Sequence, residues 1–313
     1  MPLPVFSFHT MNRRSFLATS LATLGASTLP AIEPIKRAGK PRFQLGLAAY
    51  SFREYFPYMK DKEVKPKEGH DPMDMVKFIQ YCAEHGCDGA ELTSYFFPIK
   101  ADDAYFLEIR RQAYLSGVAL SGTAIGNTWA LPKGAEMEEQ IAYTKQWIDR
   151  AELMGAPHIR VFAGVAKKEL SQEEATKNCI ETYGQCAEYA AKKGVFLGME
   201  NHHGIVADPD NLVHIIKSVN SPWVGINFDS GNFNTPDPYG DLAKIAPYAI
   251  NVQLKMVMKP KDKAPEPTDI PRVIKILKDA NYQGWFTLEY EDKEDPFTAV
   301  PRILKELKPL LAS

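Results

Sequence analysis

Four short runs in the second half of this chain share one design. Each is a β-rich apolar stretch that closes on a carboxylate or carboxamide: VFLGME on Glu200, VGINFD on Asp229, AINVQ on Gln253 and WFTLE on Glu289. A run of Val, Ile, Phe and Leu a few residues long, bounded by Gly or turn residues, marks a strand buried on both faces, which is the parallel arrangement. The polar ends lie 29, 24 and 36 residues apart, enough for one strand and one helix per step. Parallel neighbours need such a crossover, so the spacing predicts repeated βα units.

The first half of the chain continues the pattern. Strands are expected at 43–49, 89–92, 118–124 and 158–162, ahead of those at 195–200, 224–228, 250–255 and 285–290. Helical periodicity fills the gaps, at 73–85, 104–116, 136–153, 171–193, 210–218, 241–246, 270–281 and 297–311. Gly86, Gly117, Gly155 and Gly194 supply C-terminal stops, and Ser171 with Glu174 forms a capping box. The segment 257–271, rich in Lys and Pro, reads as a long loop over the strand ends. Eight strands alternating with helices, with no GxGxxG after the first, predict an α/β fold of the closed (β/α)8 TIM barrel type, in a single domain, over an open doubly wound sheet.

The N-terminus reads as an address. Asn12, Arg13, Arg14, Ser15, Phe16 and Leu17 precede a small, apolar run with no acidic residue until Glu33. This is the pattern of a twin-arginine signal over 1–31, followed by a linker at 32–42 and the barrel domain at 43–313. It implies a periplasmic or secreted protein with no stable membrane insertion once the signal is removed, because the run is shorter than the roughly 20 residues of a membrane span. With a formal net charge of -2 and no basic runs, the chain lacks the footprint of a nucleic-acid binder. A small or neutral ligand is the expected partner, and a homo-oligomer is left open. Cys82, Cys87, Cys179 and Cys186 form no CxxC pair, and their spacing favours buried free thiols over a disulfide.

In a β/α barrel the carboxyl ends of the strands converge on one face. Glu200, Asp229, Gln253 and Glu289 would therefore meet in one pocket, and a divalent metal is an economical way to relieve the repulsion of three carboxylates. All-oxygen ligands favour a hard ion, Mn2+ or Mg2+. Around them, His202, His203, Lys255, Glu91, Asn232 and Trp129 are candidate substrate-binding residues, with Arg160, Tyr50, Phe96 and Phe97 as further wall residues. Lys255 stands two residues after Gln253, on the same strand face.

ENHHG after the fifth strand, NFDSGN at the sixth and LEYE at the eighth resemble the sugar phosphate isomerase/epimerase group of xylose isomerase-like TIM barrels. The likeness runs from about residue 43 to residue 311 in element order as well as motifs. It implies a metal held by residues of the last four strands, with Glu200 and Glu289 as ligands and acid/base pair and Asp229 as a ligand. Gln253 and Asn232 stand where that group carries His. The implied activity is a metal-dependent isomerase or epimerase that abstracts a proton next to a carbonyl, the metal stabilising the enediolate charge and a carboxylate taking the proton. An export signal and the absence of a Gly-rich phosphate loop point it to a free sugar or keto-sugar. The same carbanion chemistry would allow β-elimination from a 3-keto-glycoside, a lyase or hydrolase-like outcome. The Gln and Asn departures also raise a non-catalytic sugar-binding barrel. An abasic-site endonuclease ranks last, since the chain holds only seven His and no basic groove.

Overall fold

The computed structural model describes residues 33–312. Strands β1 (Arg42–Ala48), β2 (Gly89–Thr93), β3 (Ala119–Ala124), β4 (His158–Val161), β5 (Phe196–Glu200), β6 (Val224–Asp229), β7 (Ala249–Leu254) and β8 (Gln283–Leu288) close a parallel barrel in which β1 pairs with both β2 and β8. Helices α1 (Met75–Glu84), α2 (Asp103–Leu115), α3 (Ala135–Met154), α4 (Gln172–Lys193), α5 (Pro209–Val219), α6 (Pro238–Ile245), α7 (Ile270–Asp279) and α8 (Pro296–Leu311) form the outer ring. Every expected element is present within a few residues of its expected bounds.

The helix ends follow the local chemistry. Ser171 caps α4 by accepting from the Glu174 backbone N–H, and the Glu174 side chain reaches back to the Ser171 backbone at 2.9 Å. Asp74, Asp102, Asp208, Asp237, Asp269 and Asp295 do the same for other helices. Gly155 and Gly194 close α3 and α4 at φ of 80° and 69°, in the left-handed region that favours glycine. None of the described helices is long and apolar enough to cross a membrane.

Two segments are more ordered than the sequence implies. The expected loop at 257–271 contains a short antiparallel pair, Val257–Met258 with Glu266–Pro267. The described part of the expected linker is strapped to the amino ends of β7 and β8: the Ile35 N–H donates to the Pro247 carbonyl at 2.9 Å, Arg37 to the Ala249 carbonyl at 2.5 Å, and Gln283 to the Ala38 carbonyl at 2.6 Å. The signal-peptide reading falls on residues that lie outside the described ones. All four cysteines are buried and free, as their spacing suggests.

The lower half of the barrel is plugged by large rings set against glycines. A Cβ at Gly89 would lie 2.5 Å from the Trp285 ring, and a Cβ at Gly122 or Gly198 would lie 2.7 or 2.5 Å from a His158 nitrogen. His158 is 5% exposed and neither ring nitrogen has a hydrogen-bond partner. Burial, helped by the charge of Arg160, lowers its pKa to about 3. An unfolded His titrates near 6.5, so the unfolded chain takes up a proton that the folded one refuses. This contribution to stability is complete above about pH 6.5 and is lost as pH falls toward 3. Urea unfolding at a series of pH values should show this acid loss, and His158→Leu should flatten it; an unchanged slope in the variant would assign the proton uptake to another group.

Candidate active site

Side chains on a strand alternate faces with period two, and this sorts the barrel interior into tiers. On β4 the inward positions are His158 and Arg160; on β5, Gly198 and Glu200; on β6, Gly225, Asn227 and Asp229; on β7, Asn251 and Gln253, with Lys255 one step beyond. On β8 they are Trp285 and Thr287, with Glu289 at the end, and on β2, Gly89 and Glu91.

The middle tier is a closed amide network around a buried carboxylate. Gln253 donates from Nε2 to Glu91 Oε1 at 2.5 Å, across the barrel, and Asn251 donates to Glu91 Oε2 at 2.9 Å. Asn227 donates to Gln253 Oε1 at 2.6 Å and accepts from Asn251 at 2.8 Å. Glu91 is fully buried, and burial, with Glu289 adding, pushes its pKa up to about 7 against the pull of Gln253, Arg160 and Asn251.

The upper tier carries the charges. Glu200 lies 2.9 Å from Arg160 Nε and accepts from Asn232 Nδ2 at 2.6 Å. Burial raises the Glu200 pKa to about 7, opposed by Arg160 and helped by Glu289. Arg160 also donates to the Ile125 carbonyl at 2.6 Å and lies 3.9 Å from the centre of the Phe162 ring. Asp229 is locked by a reciprocal pair with Asn201, at 2.8 and 2.9 Å, and its Oδ1 accepts from the Gly231 N–H at 2.8 Å. Its Oδ2 is buried, makes no hydrogen bond and faces Lys255 Nζ at 3.6 Å. Burial raises the Asp229 pKa well above the usual carboxylate range. Lys255 Nζ is 2.6 Å from Glu289 and 2.9 Å from Glu291. Burial works against its charge, but Glu289, Asp229 and Glu291 outweigh it and raise its pKa, so it stays an ammonium.

This donor set does not fit the expected divalent metal. Both ends of the Gln253 amide are used inside the barrel, by Glu91 and Asn227. Glu289 and Asp229 face an ammonium, and Glu200 faces a guanidinium. Among the described residues, no group of three or more His, Cys, Asp or Glu side chains is arranged to hold a metal ion.

Two cavities adjoin the charged tier. One of about 630 Å3 is lined by Asn232, Lys255, Met256, Tyr290 and Glu291 among others, within the roughly 300–1,000 Å3 of small-molecule sites. A smaller one of about 250 Å3 is lined by Asn127, Phe162, His202 and His203. His202 is half-buried, and its burial, with the nearby His203, lowers its pKa to about 3, so it is a neutral imidazole. His203 is exposed, with its ring 4.2 Å from that of His202.

Trp129 lies outside both cavities: it is fully buried against Tyr183, with ring centres 5.1 Å apart. Phe96 stacks on Phe56 at 4.4 Å and Phe97 packs on Phe106 and Trp147, so all three aromatics belong to the core. Tyr50 is half-buried beside Arg53 and Tyr95. Sequence reasoning missed Asn227 and Asn251, although each stands two residues before a named site residue and so on its face. It also missed Glu291, Asn201 and Phe162.

The profile of a family described as "Xylose isomerase-like TIM barrel" matches residues 79–309. A curated relative, the rhizopine catabolism protein MocC of Rhizobium meliloti, is 28% identical over 148 residues, which is 39% of this chain and 45% of that protein. Among solved structures, a xylose isomerase-like TIM barrel protein from Mycobacterium smegmatis in complex with magnesium superposes with a TM-score of 0.66 at 19% identity, over 86% of this chain and 96% of that one. D-psicose 3-epimerase with D-tagatose from Clostridium cellulolyticum H10 gives 0.65 at 15%, over 84% and 89%. The 3-keto-D-glucoside 4-epimerase YcjR from E. coli gives 0.61 at 15%, over 86% and 100%. At these identities the solved structures speak for the fold.

The placement of Gln253 is testable without any substrate. Gln253→Leu removes a donor from a buried carboxylate and should lower the unfolding free energy in urea by about 1–3 kcal/mol. Gln253→Glu should be worse, because it sets a second carboxylate against Glu91. Equal stability of Gln253→Glu and wild type would mean that this side chain faces the open mouth.

Proposed function

Since the chain belongs to the xylose isomerase-like TIM barrel family, we propose that it is an isomerase or epimerase of a free sugar or keto-sugar, working by proton transfer at the carbon next to a carbonyl. The observation that carries this reading is the pairing of two strand-end carboxylates with fixed cations, Glu200 with Arg160 at 2.9 Å and Glu289 with Lys255 at 2.6 Å, the lysine on the wall of the larger cavity. One carboxylate takes the proton as the C–H bond breaks, and the electron pair moves onto the carbonyl oxygen to give an enediolate. Cations held beside the carboxylates can stabilise that negative charge as it develops, which is the usual source of the largest stabilisation. The second carboxyl group, on another strand and protonated at the start, gives its own proton to carbon as the enediolate collapses, and Glu200, whose burial raises its pKa to about 7, can be that acid. Two proton carriers allow the proton to leave one face and return to the other, which is epimerisation.

The similar structures named above include two epimerases of unphosphorylated sugars, and this supports the substrate class. No step here is routed through a metal, because the donors do not fit one. The export reading, which stands on the Arg13–Arg14 pair and the small, apolar run that follows it, supports a free sugar outside the cytoplasm over a sugar phosphate. Proton exchange is the direct check. In D2O, D-tagatose, D-fructose and a 3-keto-glucoside should be screened by NMR for deuterium next to the carbonyl. Glu200→Gln and Glu289→Gln should each slow incorporation at least about 100-fold, and unchanged exchange in either would remove that residue from the mechanism. For export, the mature protein should begin near Ala31 or Ile32 and should depend on Arg13 and Arg14; a full-length cytoplasmic product would return sugar phosphates to the substrate list.

A further inference from the structure

We propose that the Lys255 ammonium is a built-in replacement for a divalent metal, so that the charged tier is complete with the chain's own cations. Three independent features of the geometry point to it. The first is position: Lys255 follows Gln253 by two residues, on the same inward face, and its Nζ sits 2.6 Å from Glu289, 2.9 Å from Glu291 and 3.6 Å from the otherwise unpartnered Oδ2 of Asp229. Three carboxylates from the ends of two strands thus converge on one cation.

The second is that the remaining donors are committed elsewhere. Gln253 is held by Glu91 and Asn227 in the tier below, and Glu200 by Arg160 and Asn232. A dication entering the upper tier would have to displace an ammonium in direct contact with two carboxylates, or sit beside it at the cost of Coulomb repulsion.

The third is that the lysine has a seat made for it. Its backbone N–H donates to Ser230 Oγ at 2.9 Å, and its aliphatic stem crosses Gly231, where any Cβ would lie 2.7 Å from the Lys255 Cβ and 2.8 Å from its Cγ. The stem is thereby fixed while the residue stays on the wall of the 630 Å3 cavity, its side chain 12% exposed. Its place in the charge balance stands on this geometry alone. Its catalytic part, donating hydrogen bonds to the oxygen that becomes an enediolate, rests on the proton-abstraction reading above.

The test is MnCl2 titration of chelator-dialysed protein, with free Mn2+ read by electron paramagnetic resonance. Wild type and Lys255→Arg should bind Mn2+ weakly. Lys255→Met empties the seat while leaving the three carboxylates, and should bind roughly tenfold tighter or more, with a matching rise in melting temperature on adding Mn2+. Lys255→Ala serves if the Met variant does not fold. Tight, stoichiometric Mn2+ binding by wild type would overturn the proposal, and wild type alone can deliver that result. The same samples are then assayed by deuterium exchange into D-tagatose and D-fructose. Exchange by wild type should survive the chelator, and Lys255→Met should lose about 100-fold; exchange that requires added Mn2+ would also overturn the proposal. If wild type exchanges no probe sugar with or without Mn2+, the proton-abstraction reading falls, while the Mn2+ titration still decides the place of Lys255.

Discussion

Glu91, Glu200, Asp229 and Glu289 are each at most 5% exposed and share the interior of one barrel, and the rest of the site is organised around the cost of that burial. An ionised carboxylate taken out of water must be paired, hydrogen-bonded or protonated. The chain uses all three answers, sorted by depth. Deepest, Glu91 is met by carboxamide N–H groups and has its pKa lifted to about 7. At the mouth, Arg160 and Lys255 provide full charges. Asp229 combines one hydrogen-bonded oxygen with one that faces only the ammonium. Removing one partner of such a buried pair typically costs about 3–5 kcal/mol, because the other is left uncompensated, whereas the intact pair adds little net stability. The arrangement is therefore better understood as a device for holding reactive charge in place than as a source of stability.

The depth sorting follows from strand geometry. Because inward positions recur every second residue, β7 contributes Asn251 and Gln253 to the middle level and Lys255 to the top, and β4 contributes His158 and then Arg160. Large rings and glycines fill the bottom, amides the middle and charges the top. Each level dries the one above from below, which strengthens the electrostatics at the mouth where substrate enters. Asn201 and Ser230 then fix the two loops that carry Asp229 and Lys255, so the charged groups are set by backbone contacts and not only by their attraction to one another.

The fold was legible because parallel strands and capped helices leave local signatures: apolar runs of the right length, Gly after helices, Asp or Ser before them. The positions of Glu200, Asp229 and Glu289 were legible for the same reason, as polar ends of buried runs. What each side chain bonds to was not. Gln253 reads as a carbonyl at a strand end, but its direction depends on Glu91, 162 residues away, and on where β2 lies across the closed barrel. Trp129, Phe96 and Phe97 read as sugar-stacking surfaces because loops after strands line barrel mouths. Their large apolar area instead draws them under the loops, onto Tyr183, Phe56 and Phe106. Composition alone does not separate an aromatic that covers a core from one that faces a ligand.

Positions 253 and 255 are physically linked. Once the residue at 253 is a neutral amide engaged with the tier beneath, β7 has no group at that level to balance Asp229 and Glu289. The next inward position is 255, about 6–7 Å further along the strand, too far for a short side chain to reach back but within range of a lysine folded over Gly231. A charge at 254 or 256 would point away from the barrel axis, and an arginine at 255 would bring a broad planar head where a compact ammonium contacts three carboxylates. The glycine at 231, the amide at 253 and the lysine at 255 thus form one solution to a single electrostatic problem, and changing any one of them alters what the other two can do.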